Sequence, residues 1–190
     1  GAWSIGEPLY VDHDLTVTAG TLDLGVQDLT VTADVTVNGS TGFLDLSDVD
    51  CDVDIGGNVS VSSGTLSAPA VADNASFKVG GSWEVSGTGV FTPNSGRVVF
   101  DATDTDNTIT TSSSGADDFD DVTFDGASGK WTSQDDLGIN GALNVTEGTL
   151  DMNDHVLTGN ITSSTASTIS AAGTLQTGEG SYTIHDLSNN

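Results

Sequence analysis

The stretch from Asp48 to Ile55, DVDCDVDI, alternates carboxylates with apolar residues, and Asp45 lies just upstream. On an extended chain Asp50, Asp52 and Asp54 share one face, with successive Cα atoms about 6.8 Å apart, so two of them could pinch a cation. Calcium takes six to eight oxygens at about 2.3–2.6 Å, usually from a loop that adds backbone carbonyls. A flat strand face offers too few, and the plainer reading is a solvated wall. A second cluster, GADDFDDVTFDG, holds Asp117, Asp118, Asp120, Asp121 and Asp125 around Phe119, Val122 and Phe124. Its first half reads as a loop entering a strand, which suits calcium better. Neither cluster matches an EF-hand loop or the glycine-rich calcium nonapeptide. No cofactor is required by any motif; calcium is the candidate ion.

Catalytic constellations are scarce. His13, His155 and His185 are isolated, without metal-ligand spacing, and no G-x-S-x-G motif surrounds any serine. Paired carboxylates can hydrolyse glycosides, but such grooves also need aromatic and basic residues. The chain has three basic residues, Lys78, Arg97 and Lys130, against 28 acidic ones, for a net charge of −25. The expectation is a protein that is not an enzyme. The charge argues against nucleic acid and anionic membranes as partners. It favours high solubility in salt or divalent cations. Nearly all the acid is Asp; the glutamates are Glu7, Glu84, Glu147 and Glu179. Asp favours turns over helix interiors.

The elements that carry these residues have period two. Leu15/Val17, Leu29/Val31, Val35/Val37, Val59/Val61, Trp83/Val85 and Leu143/Val145 alternate with polar residues, bounded by Gly, Asn, Asp and Ser. Such runs are short strands joined by turns. No helical periodicity is sustained, and no apolar run approaches a membrane span. LTVTAGTLDL (15–24), VSVSSGTLSA (59–68) and LNVTEGTLDM (143–152) repeat one pattern, WEVSGTGVF (83–91) is a degenerate copy, and Gly-Thr-Leu recurs at 173–175. The marker glycines Gly20, Gly64, Gly87, Gly148 and Gly173 are separated by 44, 23, 61 and 25 residues. Those gaps are near multiples of a unit of roughly 20–23 residues, the size of one solenoid coil. The expected fold is all-β, a β-solenoid (parallel β-helix) of about eight or nine coils. The alternative is a β-sandwich with strand exchange, which also has short strands and frequent turns.

LTVTAGTLDL, GGSWEVSGTGVFTPNSGRVVFD (80–101) and FDDVTFDGASGKWTSQDDLGINGALNVTEGTLDMNDHVLTGNITSS (119–164) resemble the strand repeats of large bacterial and archaeal surface proteins. Autotransporter-passenger-like and filamentous-haemagglutinin-like repeats are the types in question. The resemblance implies a solenoid and a secreted, cell-surface location. It is specific for architecture and not for function, because such repeats serve adhesins, filaments, surface layers and enzyme scaffolds alike, and it carries no catalytic motif to transfer.

The expected organisation is an N-terminal docking or capping segment at 1–10 and one repetitive domain at 11–190. An opening at Gly1 fits a removed signal peptide or a fragment. Solenoid ends leave unpaired backbone, and no room for a helical cap is visible. End-to-end stacking or strand exchange between copies is therefore expected, with Trp3, Ile5, Leu9, Tyr10, Tyr182 and Ile184 as candidate assembly residues. The expected function is an extracellular structural subunit of a filament, sheath or surface layer, its partner being itself. The alternative is a cell-surface adhesin segment binding glycans or a host or biofilm surface. Trp83 reads as core, whereas Trp3 and Trp131 read as end caps, neighbour contacts or sugar platforms. Cys51, the single cysteine, reads as a buried core thiol. Sequons at Asn38, Asn58, Asn74, Asn144 and Asn160 support glycosylation weakly.

Overall fold

In the computed structural model, residues 1–48, 51–70, 77–112, 118–159, 168–178, 182–183 and 188–189 are described. Alternating β-branched and polar residues form eighteen strands: β1 (Ala2–Ser4), β2 (Leu9–Val11), β3 (Leu15–Asp23), β4 (Leu29–Val31), β5 (Val35–Asp45), β6 (Val53–Ile55), β7 (Val59–Ser67), β8 (Phe77–Val79), β9 (Trp83–Thr92), β10 (Arg97–Phe100), β11 (Asn107–Thr110), β12 (Asp121–Ser133), β13 (Leu137–Ile139), β14 (Leu143–Asp151), β15 (Leu157–Gly159), β16 (Thr168–Gln176), β17 (Tyr182–Thr183) and β18 (Ser188–Asn189). Every strand pairing among them is parallel. A sandwich is built from antiparallel sheets. The fold is a parallel β-solenoid.

Its wall has three faces. The first stacks β2, β4, β6, β8 and β10, then continues through the N-terminal halves of β12, β14 and β16 to β18. The second stacks the N-terminal halves of β3, β5, β7 and β9, then β11 and the C-terminal halves of β12, β14 and β16. The third carries β1, the C-terminal halves of β3, β5, β7 and β9, then Phe119, β13, β15 and β17. Equivalent residues on the first face, such as Leu29, Val53, Phe77 and Val98, recur at intervals of 24, 24 and 21. That matches the spacing of the marker glycines.

Six turns, beginning at Leu9, Leu29, Val53, Phe77, Asp121 and Leu143, have strands of three or more residues, or halves of one bent strand, on all three faces, and the turn from Thr168 reaches all three through β16 and the two-residue β17. The turn from Arg97 closes its third face only by the Phe119–Ile139 bridge, and the turn from Thr168 is described in part. The regular solenoid is thus shorter than the eight or nine coils expected.

The repeat motif itself bends around a corner. In β3, Leu15 and Val17 face inward, whereas beyond Gly20 the inward residue is Leu22; the ladder breaks register between Val17 and Ala19. Gly20 (φ 79°), Gly64 (φ 84°) and Gly148 (φ 81°) supply the left-handed backbone at this bend. They also allow close stacking, since a Cβ on Gly148 would lie 2.6 Å from the Gly126 carbonyl oxygen. In the first four turns the bend joins the second and third faces. From β12 onward it joins the first and second. The smooth corner therefore moves by one face in mid-chain.

Seven aromatic rings fill the core where it moves. Trp83 contacts Phe77, Phe91, Phe100 and Phe119 at centroid distances of 4.7–6.2 Å. Phe100 stacks on Phe124 at 5.1 Å, and Trp131 packs on both. Elsewhere the core is columns of Val, Leu and Ile. One turn could not bury these residues, but each inward Val or Leu covers its equivalent in the next, worth roughly 1.5–3 kcal/mol apiece.

Candidate functional site

Polar side chains at the corners hold the wall together, and of the aspartates singled out above Asp118 and Asp121 take part. Asp14, Asp34, Asn58 and Ser82 each directly precede the first inward residue of the second face. They form a ladder across turns. The Asp34 N–H donates to Asp14 Oδ1 at 3.2 Å, and the Asn58 N–H donates to Asp34 Oδ1 at 2.7 Å. Asn58 Nδ2 donates to the same oxygen at 3.1 Å, while Asn58 Oδ1 accepts the Ser82 N–H at 2.8 Å. The Thr108 N–H donates to Ser82 Oγ. Each side chain thus satisfies a backbone donor one turn on, at a corner where the strand ladder cannot. A second ladder runs before the third face. Gly138 N–H donates to Asp118 Oδ2 at 2.9 Å, and Val156 N–H donates to Asp136 Oδ1 at 2.8 Å. Asp121, nearly buried, accepts the Ala142 N–H at 2.6 Å. Asp135 accepts the N–H groups of Thr111 and Ser112.

The opening row divides accordingly. Asp54 is an exposed member of the first face, stacked between Thr30 and Lys78. Asp52 is exposed, and its backbone N–H donates to Asp28 Oδ1. The strand here is only Val53–Ile55, not the whole alternating run, and Asp50 lies outside the described residues, as does Asp117. Among the described residues no three His, Cys, Asp or Glu side chains converge as a metal-holding group. Burial pushes the Asp120 carboxyl above its ordinary value, with Asp121 adding to the effect. Asp101 rises likewise, through burial and then Asp54. Cys51 is buried, as expected, and its Sγ donates to the Gln27 carbonyl.

Two of the cations sit in ion pairs with this wall: Lys130 Nζ lies 2.7 Å from Asp151 Oδ2, and Arg97 Nη2 lies 3.9 Å from Asp121 Oδ2. Lys78 is stacked beside Asp54 and lowers the Asp101 carboxyl against those upward effects. The sides of the prism therefore present a negative surface.

The N-terminal end differs. Trp3, Leu22, Leu44, Leu66 and Phe91 form one inward row on the third face. Leu44 and Leu66 are fully buried, whereas Trp3 is 63% exposed. Ile5, Leu9, Val11, Leu15 and Leu22 are half-buried. A recess of about 230 Å³ lies between Trp3 and Leu22 on one side and Leu15–Ala19 on the other. β1 pairs only with the third-face half of β3. Among the described residues nothing pairs with the outer edges of β2 or Leu15–Val17.

The candidate assembly residues separate here. Trp3, Ile5 and Leu9 belong to the open end. Tyr10 is 64% exposed but stacks with Thr30 in an outward row of the side wall. Tyr182 starts β17 at the other end, and Ile184 is outside the described residues. Trp131 is fully buried against Phe124 and Phe100, so it is core, not a cap, neighbour contact or sugar platform. Trp83 is core as expected. Of the sequons, Asn38 is exposed, Asn144 half-buried, and Asn58 exposed but engaged in the corner ladder; Asn74 and Asn160 lie outside the described residues.

The ladders escaped the sequence because an Asp before a strand looks like any solvated Asp. Their signal was position: Asp14, Asp34, Asn58 and Ser82 fall at intervals of 20, 24 and 24, the period of the coil. No protein-family model, no curated protein and no solved structure matches the chain.

Proposed function

We propose that this chain is a structural subunit of an extracellular filament, sheath or surface layer, assembled end to end by continuation of its parallel sheets. The observation that carries the reading is the stacking itself: every described strand pairing is parallel and inward rows run from turn to turn, a pattern that can continue from copy to copy, and Trp3 stands 63% exposed in one of those rows. An open edge templates further strands. Compositional support for an extracellular setting comes from the Gly-, Ser-, Thr- and Asp-rich sequence and its three basic residues.

Sedimentation velocity over a range of concentrations in high salt, followed by negative-stain electron microscopy, tests it. Growth into linear species, abolished by Trp3→Asp with unchanged circular dichroism, is expected. A monomer at all concentrations would overturn the assignment.

A further inference from the structure

An asparagine followed by glycine is prone to attack on its own side chain, because glycine has no Cβ to shield its backbone nitrogen. The chain has two such pairs, Asn38–Gly39 and Asn140–Gly141. The fold treats them in opposite ways.

Asn38–Gly39 lies in a bulge. β5 is 11 residues long, whereas its neighbours β3 and β7 are 9 each. Both ladders break register at the extra residues: Val37 pairs with Val17 and Val61, and regular pairing resumes at Thr41 against β3 and at Phe43 against β7. Asn38 faces Ser63, whereas Gly39 and Ser40 have a register partner on neither side, as the surplus residues of a bulge do. Asn38, Ser40 and Thr41 are exposed, and the Asn38 side chain makes no hydrogen bond among the described residues. The glycine is also required, since a Cβ on Gly39 would collide with the Thr18 carbonyl oxygen. Close stacking of the turns therefore fixes glycine behind an exposed asparagine.

Asn140–Gly141 sits in the corner between β13 and β14. The Asn140 N–H donates to the Phe119 carbonyl and the Gly141 N–H to the Asp120 carbonyl, each at 2.9 Å. Gly141 is buried. The nitrogen that would have to attack is engaged and enclosed. Asn94, which precedes a small serine, is restrained in another way: its Nδ2 donates to the Ala68 carbonyl at 2.6 Å and to Ser67 Oγ at 3.1 Å.

We infer that Asn38 is a site of spontaneous deamidation in the folded protein. Solvent base removes the Gly39 amide proton, and the nitrogen attacks Asn38 Cγ. The new C–N bond closes a five-membered succinimide as the Cγ–Nδ2 bond breaks and ammonia leaves. Water then opens the ring at one carbonyl or the other, leaving aspartate or isoaspartate. Each event adds one negative charge to a chain already at −25. Isoaspartate also lengthens the backbone by one methylene, and a bulge without register partners absorbs it while the ladders on either side stay paired.

The test incubates the folded protein at mildly alkaline pH over days. Peptide mass spectrometry follows the gain of about one mass unit at each asparagine, and a carboxyl methyltransferase reports isoaspartate. Asn38 is expected to convert at least tenfold faster than Asn140, about 1.4 kcal/mol in the barrier, and the two rates should converge in urea. Asn38→Thr, which installs the residue that follows Val17 in β3, should abolish the Asn38 signal with unchanged circular dichroism. Equal rates at the two sites in the folded protein, or an Asn38 that converts only once the chain is unfolded, would overturn the assignment.

Discussion

Asn58→Asp tests the corner ladder with a change of one atom per side chain. The variant keeps the oxygen that accepts the Ser82 N–H at 2.8 Å. It loses the Nδ2 donor to Asp34 Oδ1 and sets a second carboxylate about 3.1 Å from the first. Two charges at that separation repel by about 1.3 kcal/mol in water, and a Debye length of ~8 Å at physiological salt trims this to about 1 kcal/mol. The lost hydrogen bond adds roughly 1 kcal/mol. Urea unfolding should therefore show a loss of about 2 kcal/mol at low and physiological salt. In 1 M salt, where the Debye length is ~3 Å, about half of the repulsive part should return, leaving a loss of roughly 1.5 kcal/mol. Asn58→Ala should lose a similar amount, but with no salt-dependent part. A variant as stable as the parent, or a loss indifferent to salt, would refute the ladder as a structural element.

Truncating the aromatic core where the corner moves, by Phe100→Ala, should cost about 3–5 kcal/mol, read as a fall in the urea midpoint. The Asp151 carboxyl is held below its ordinary value chiefly by its hydrogen bond from Lys130. Its contribution is present above the ordinary carboxylate range and lost as pH falls through the lowered value. Lys130→Met should flatten that acid limb by under ~1 kcal/mol, since both side chains are partly exposed. Cys51 is pushed up to about 12, first by burial and then by Asp28, Asp52 and Asp48. At pH 9 the folded protein should resist a thiol reagent that modifies the urea-unfolded chain within seconds.

Period two was legible because an inward Val or Leu must alternate with an outward residue whatever it stacks on. Gly-Thr-Leu marked the coil for a similar reason: Gly64 and Gly148 take a backbone angle that other residues resist. The placement of the motif on the prism was not legible. LTVTAGTLDL and LNVTEGTLDM are nearly the same sequence, yet one spans the second and third faces and the other the first and second. The difference is set by the path between them, where β10 and β11 are separate short strands with no shared bend. Trp131 was misplaced because its neighbours Gly129 and Lys130 look like a turn. In the structure they lie within β12, and the ring turns inward to Phe124.

Magnitudes also decide which surface can join two copies. Full burial of a large aromatic removes about 150–250 Å² from water, so covering the exposed 63% of Trp3 contributes roughly 3 kcal/mol at about 25 cal/mol per Å². Association costs an estimated 4–15 kcal/mol in lost freedom. Trp3 alone cannot hold a junction. The half-buried Leu9, Val11, Leu15 and Leu22 must be covered with it, and they lie on all three faces of the first turn. Side-to-side contact fares poorly, since it opposes carboxylate walls whose pairs repel by about 0.5 kcal/mol at 8 Å in water. For the proposed assembly, an end-on junction is the arrangement that covers this apolar surface and keeps the walls apart.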